Sequence, residues 1–137
     1  MTMTYQQQFV LDGLAARAAI LDLDAGYNRL YSAGDLAGWI ATFRHAGASL
    51  TRAGETFTDL AAAFDGGNGQ RLVTVDQEIS VDGVEATQQC VVLLFGNGEL
   101  LATGTYRDSL IYERGGWYFT SRELEWDRVT RERVVLV

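Results

Sequence analysis

The sequence of 137 residues has no lysine, no proline, a single cysteine and a single histidine. Without lysine, Schiff-base chemistry on a side-chain amine is excluded. Without proline, its turns fall to glycine, of which there are 15. Cys90 has no partner for an intramolecular disulfide. It lies in the apolar run CVVLLF, where a small buried hydrophobe is the ordinary role and a catalytic thiol a poor second. One His and one Cys far apart offer no zinc-type spacing, so no metal site is expected. No P-loop, dinucleotide fingerprint or nucleophile elbow occurs, and Gly66-Gly67-Asn68-Gly69 lacks the strand–turn–helix context of a phosphate loop. No cofactor is expected. The formal charge is −7, and with no basic stripe to displace counterions a nucleic-acid partner is not expected. The start, MTMTYQQQFVLDG, has neither the charged nor the apolar part of a signal peptide. No window approaches the ~20 apolar residues of a spanning helix. These absences predict a cytoplasmic protein with no membrane partner.

What is present suits one globular domain over residues 1–137, long enough to bury roughly two-thirds of its unfolded surface. Residues Phe9 to Ala33 carry a helical pattern. On a helical wheel Ala15, Ala19, Asp22, Gly26, Arg29 and Ala33 form the outward side. Phe9, Val10, Leu14, Ile20, Leu21, Tyr27 and Tyr31 form the inward one. Asp24 falls near the centre of the inward side with Arg17 and Asn28 close by. A carboxylate there needs partners, so it is either a structural link from helix to sheet or an acid/base whose pKa burial raises. Gly34-Asp35 ends this helix and caps a second, Leu36 to Phe43, with Leu36, Trp39, Ile40 and Phe43 inward. His45 reads as a solvated cation after a helix end. Ala48 to Arg52 suits a short strand, and Phe57 to Phe64 a short helix opened by Thr58.

From Arg71 the period becomes that of strands: Arg71–Val81, Val84–Phe95, Leu100–Glu113 and Trp117–Asp127, parted by Asp82-Gly83, Asn97-Gly98 and Gly115-Gly116. The residues Thr130 to Val137 read as an edge-strand extension or a contact with a partner subunit. In the last hairpin, a three-residue loop 114–116 pairs Glu113 with Trp117 and sets Asp108 opposite Arg122, Tyr106 opposite Leu124 and Gly104 opposite Trp126. A one-residue slip would oppose Asp108 to Glu123, a like-charge pair. The even positions Ala102, Tyr106, Leu110, Tyr112, Tyr118, Leu124 and Trp126 make the more apolar face, with an acid and an arginine in its middle. Asp108 and Arg122 read as a buried cross-strand ion pair or as working groups of a site. Helices first and a meander afterwards predict an α+β fold with helices over one face of a sheet.

Several strings, in this order, resemble one family. LAARAAILDL, LYSAGDLAGWIATF, the QRLVT of Gln70 to Thr74, and GTYRDSLIYERGGW with Arg122 five residues on are similar to the SnoaL-like group of the NTF2-like superfamily. That group includes scytalone dehydratase and the lindane dehydrochlorinase. The resemblance implies an NTF2-like cone, with N-terminal helices packed on a strongly curved antiparallel sheet, a pocket between them, and a homodimer or homotrimer. It also implies an Asp/His proton-abstracting dyad, but the matching positions here hold Ser32 and Arg71. Serine alone is too weak a base, and arginine stays charged. Arg122 does match the pocket-lining arginine of the dehydrochlorinase, and Tyr27 another pocket-lining position.

Strict strand alternation turns Leu72, Thr74, Asp76 and Glu78 toward the helices, whereas the resemblance wants Arg71 inside. A bulge near Asp76 to Glu78 would reconcile them. The expected site therefore has Asp24 or Asp108 as acid/base and Tyr27, Arg71 or Arg122 as electrophilic partner. Its ligand contacts are Tyr31, Ser32, Trp39, Phe57, Cys90, Tyr106 and Trp126. The reading is a small-molecule-binding protein for a hydrophobic ligand and, if an enzyme, a cofactor-free lyase or isomerase. The alternative is a non-catalytic carrier or assembly subunit resembling the small subunits of ring-hydroxylating dioxygenases.

Overall fold

The computed structural model describes residues 2–129. The segment 130–137, read above as an edge strand or subunit contact, lies outside the described residues. Helix α1 spans Tyr5–Ala33, starting four residues before the expected boundary because Thr4 and Gln7 form a reciprocal capping box. It ends at Gly34, whose φ of 72° is the left-handed conformation that stops a helix. Asp35 caps α2, Leu36–Ile40. That helix is shorter than expected because the chain then joins the sheet, through a parallel bridge between Phe43 and Phe119. Trp39 and Phe43 are core residues, whereas Leu36, expected inward, is exposed.

Six strands form one sheet in the order β2-β1-β6-β5-β4-β3. They are β1 Ser49–Arg52, β2 Glu55–Phe57, β3 Gln70–Asp82, β4 Glu85–Gly96, β5 Glu99–Glu113 and β6 Gly116–Val129. The four long strands match the expected meander to within two residues at each end. β1 runs parallel to β6, and every other pairing is antiparallel. β2 was not anticipated: Ala53 and Gly54, both at positive φ, make a tight hairpin to it. The short helix α3 is Leu60–Ala63, preceded by Asp59 rather than Thr58.

The curvature has a local cause. Register shifts occur at Val75/Glu78, Leu94/Phe95, Thr103/Gly104 and Ser109/Leu110, and each extra residue bends and twists its strand. Gly104 permits a close crossing of β5 and β6, since a Cβ there would stand 2.6 Å from the Glu125 carbonyl oxygen. The helices cover the concave face, giving the α+β cone.

Three expectations need correction. The last turn holds two residues, Arg114 and Gly115, both at positive φ, so Glu113 faces Gly116 and not Trp117. A bulge at Thr120 then restores the pairings of Asp108 with Arg122, Tyr106 with Leu124 and Gly104 with Trp126. Because of that bulge Trp117 and Phe119 turn into the core instead of Tyr118, while Tyr112 stays exposed at the end of the sheet. The bulge in β3 is present, with Asp76 at φ 55°, but it acts on the residues after it. Ile79 and Val81 turn toward the helix, and Arg71 stays exposed. Finally, Phe9, Val10, Leu14 and Leu21 of α1 are exposed. A helix of 29 residues is about 43 Å long, and its first turns project where the sheet offers little cover.

Candidate functional site

Four polar side chains meet in the core where α1 crosses the middle of the meander. Asp24 projects from α1, Gln88 from β4, Asp108 from β5 and Arg122 from β6. Strand alternation and register bring Gln88, Asp108 and Arg122 side by side. Arg122 Nε lies 3.1 Å from Asp108 Oδ1, and Nη2 lies 3.9 Å from Asp24 Oδ1. The 3.1 Å contact is an ion pair whose N–H is poorly aligned for a hydrogen bond. Gln88 Nε2 donates to Asp24 Oδ1 and to Asp108 Oδ2, each at 2.9 Å, so one amide bridges both carboxylates. The guanidinium stacks on Tyr106 at 3.5 Å and lies 4.3 Å from the rings of Tyr27 and Phe119.

This cluster holds two acids and one base in a place shut off from water. Burial is the main force on both acids. It pushes Asp108 up to about 6 against the pull of Arg122 and Gln88, and it raises Asp24 as well. Burial alone would depress Arg122, but Asp108, the two tyrosines and Asp24 more than offset it, so the guanidinium stays charged. Both carboxylates ionised would leave a net negative charge in the core, which favours retention of one proton by the pair. Arg17, expected near Asp24, instead donates to the Ile79 carbonyl, and Asn28 donates to Thr74. Asp24 therefore links helix to sheet.

Beside the cluster, separated from it by the rings of Tyr27 and Tyr106, lies an aromatic slot. Tyr27, Tyr31, Trp39, Tyr106 and Trp126 line it with Leu50, Leu72, Leu94 and Leu124. Its walls are nearly in contact, enclosing a cavity of about 30 Å³, room for about one water. The pocket expected between the helices and the sheet is thus closed down by the rings of its own wall. Tyr27 sits at the hub, with ring centroids 5.6 to 6.1 Å from Trp39, Phe43, Tyr106 and Phe119.

At the mouth stand three polar residues that the sequence reading missed: Arg52, Asp65 and Gln70. Arg52 Nη1 donates to the Ala63 carbonyl at 3.0 Å and lies 3.7 Å from Asp65 Oδ1. Burial raises Asp65, opposed by Arg52 and by a hydrogen bond with Tyr31. The signal for Arg52 was present, since strand alternation in SLTR turns Leu50 and Arg52 the same way. Gln88 was legible too, as the polar residue in the inward row Ala86, Gln88, Cys90, Val92, Leu94.

Not every expected residue joins the site. Arg71 is exposed and absent from the slot wall. Ser32 is half-buried, but its hydroxyl donates to the Asn28 carbonyl of its own helix at 3.0 Å. Cys90 is packed in the core opposite Tyr106, off the slot wall, and burial pushes its thiol up to about 12. Phe57 stands behind Arg52, its ring centroid 5.3 Å from the guanidinium carbon. Among the described residues no three His, Cys, Asp or Glu side chains are grouped to hold a metal ion, and no helix is long and apolar enough to cross a membrane.

Comparison with known proteins agrees with this architecture. Among solved structures, an NTF2-like protein with a cystatin-like fold from Novosphingobium aromaticivorans matches with a TM-score of 0.80 at 20% identity, over 93% of this chain and 92% of that one. A scytalone dehydratase-like protein from the same organism gives 0.78 at 21%, over 90% and 91%. A Mycobacterium tuberculosis protein of unknown function gives 0.75 at 25%, over 93% and 81%. Curated proteins yield no sequence match. The SnoaL-like domain profile matches residues 12–123, from the third turn of α1 to the residue after Arg122 in β6, and the chain belongs to the SnoaL-like domain family.

Proposed function

We propose that this protein binds a small hydrophobic ligand in the aromatic slot and does not run the Asp/His proton abstraction expected from the family resemblance. The observation that carries the reading is the slot itself. Five aromatic rings and four leucines converge between the helices and the concave face of the sheet, with Arg52, Asp65 and Gln70 as the charged and amide side chains of the wall, the make-up of a small-molecule site. Ser32 and Arg71 stand apart from it. The carboxyls that would replace the dyad, Asp24 and Asp108, are held by Gln88 and Arg122 behind a wall of tyrosines. That placement argues for binding over lyase or isomerase chemistry. Trp126, half-buried on the slot wall, is the ring that would shift to admit a ligand. Titration with naphthalene, followed by heteronuclear NMR, tests the reading. Shifts should concentrate on Tyr27, Tyr31, Trp39, Tyr106 and Trp126. An absence of binding, or shifts confined to the outer sheet face, would reject it.

One observation favours the alternative of an assembly subunit. Tyr5, Phe9, Val10 and Leu14 are all exposed on the first turns of α1. Light scattering of wild type and of Phe9→Ser/Leu14→Ser tests it: a stable oligomer that the double variant dissolves would support assembly.

A further inference from the structure

We propose that Arg52 and Asp65 form a polar subsite at the mouth of the aromatic slot that selects ligands carrying an uncharged hydroxyl group. The inference rests on the binding reading above and adds the chemistry of the ligand's polar end. Arg52 is about nine-tenths buried and held on β1 with its guanidinium over Phe57. A guanidinium has five N–H donors. Among the described residues its one hydrogen bond goes to Ala63, and the 3.7 Å to Asp65 Oδ1 is too long for a direct bond. Asp65 is half-buried beside the Tyr31 hydroxyl. On the same slot wall, Trp126 buries its indole N–H without an acceptor among the described residues. Buried donors left unanswered cost free energy.

The slot wall thus carries donors on Arg52 and Trp126 and the carboxylate of Asp65, and the Arg–Asp pair is neutral as a unit. A hydroxyl group answers both sides with a single oxygen: it accepts from Arg52 or the indole and donates its proton to Asp65. A carboxylate would face Asp65 and a chain of net charge −7. An ammonium would face Arg52. A bare hydrocarbon would fill the slot and leave the polar groups as they are. The remaining wall is aromatic, so the ligand class is a flat aromatic alcohol or phenol.

Calorimetric titration of the full chain with naphthalene, 2-naphthol and 2-naphthoate at neutral pH tests this. The expected order places 2-naphthol at least about tenfold tighter than naphthalene, the equivalent of one net hydrogen bond, with 2-naphthoate weakest. Asp65→Asn should bring the ratio of 2-naphthol to naphthalene affinity close to one. Trp126→Phe, which keeps an aromatic ring and removes only the donor, should lower it too and serves if Asp65→Asn does not fold. Arg71→Ala, outside the slot, should keep the full ratio. Equal affinities for naphthalene and 2-naphthol in the wild type would overturn the subsite and leave the binding reading standing. Tightest binding of 2-naphthoate, or a ratio untouched by both variants, would also overturn the subsite. Failure of all three probes to bind would overturn the binding reading and the subsite with it.

Discussion

Arg122 and Asp108 occupy facing positions on β6 and β5, with Nε 3.1 Å from Oδ1 and both side chains shielded from solvent. Around them Gln88 ties Asp108 to Asp24 and three aromatic rings enclose the guanidinium. The core of this protein is therefore organised about a charged centre.

Removing the cation should be severe. Arg122→Ala leaves two carboxylates without a counter-charge and a hole among Tyr27, Tyr106 and Phe119, and the loss of one partner from a buried pair costs about 3–5 kcal/mol. Urea denaturation should show the midpoint falling accordingly. An unchanged midpoint would refute the pairing.

Stability should also depend on pH through Asp108. Its pKa is raised from 3.8 to about 6 in the folded protein, chiefly by burial. Between those values the folded chain keeps a proton that the unfolded chain has released. This carboxyl's contribution is therefore fully present below pH 3.8 and is lost as pH rises through about 6. A shift of this size corresponds to about 3 kcal/mol between the two limits. Asp24 is raised in the same direction. Asp108→Asn mimics the protonated acid and removes this carboxyl's share of the dependence. From pH 5 to pH 7.5 the wild type should lose stability relative to this variant. Parallel stability curves would contradict the assignment.

Cys90 should be inert while the protein is folded. It is 2% exposed, and burial pushes its thiol up to about 12, so little thiolate forms and little reagent reaches it. Labelling with a disulfide reagent at pH 8 should be slow in buffer and rapid in urea. Fast labelling in buffer would mean that the core near Tyr106 opens readily.

Two substitutions at the positions of the expected dyad should be nearly silent. Arg71 is exposed, and the Ser32 hydroxyl donates to its own helix. Arg71→Ala and Ser32→Ala should each change stability by no more than about 0.5 kcal/mol and leave naphthalene affinity intact. A large loss of binding in either would place these residues in the site after all.

Much of this architecture was legible in the chain. The pairing of Asp108 with Arg122 followed from strand alternation together with the cost of setting Asp108 against Glu123. It held although the turn was misjudged by one residue, because the Thr120 bulge cancels the error. Asp24 was legible as a buried acid from the helical period. Its hydrogen-bond partner Gln88 was not, since Arg17 and Asn28 were near on the wheel and Gln88 is near only in space. Arg52 and Asp65 are 13 positions apart and meet only when α3 folds back over β1.

The sequence by itself determined the order of the main helices, the four long strands and the α+β class, because periodicity, caps and glycine turns are local and need no knowledge of what lies across the core. The family and its cone rested on the resemblance of its strings. Tertiary structure alone decided where the bulges fall, which way Arg71 and Phe119 turn, how tightly the slot closes, and which side chains answer Asp24. Each of these depends on neighbours brought together from distant parts of the chain, where one extra residue in a strand exchanges its inner face for its outer one.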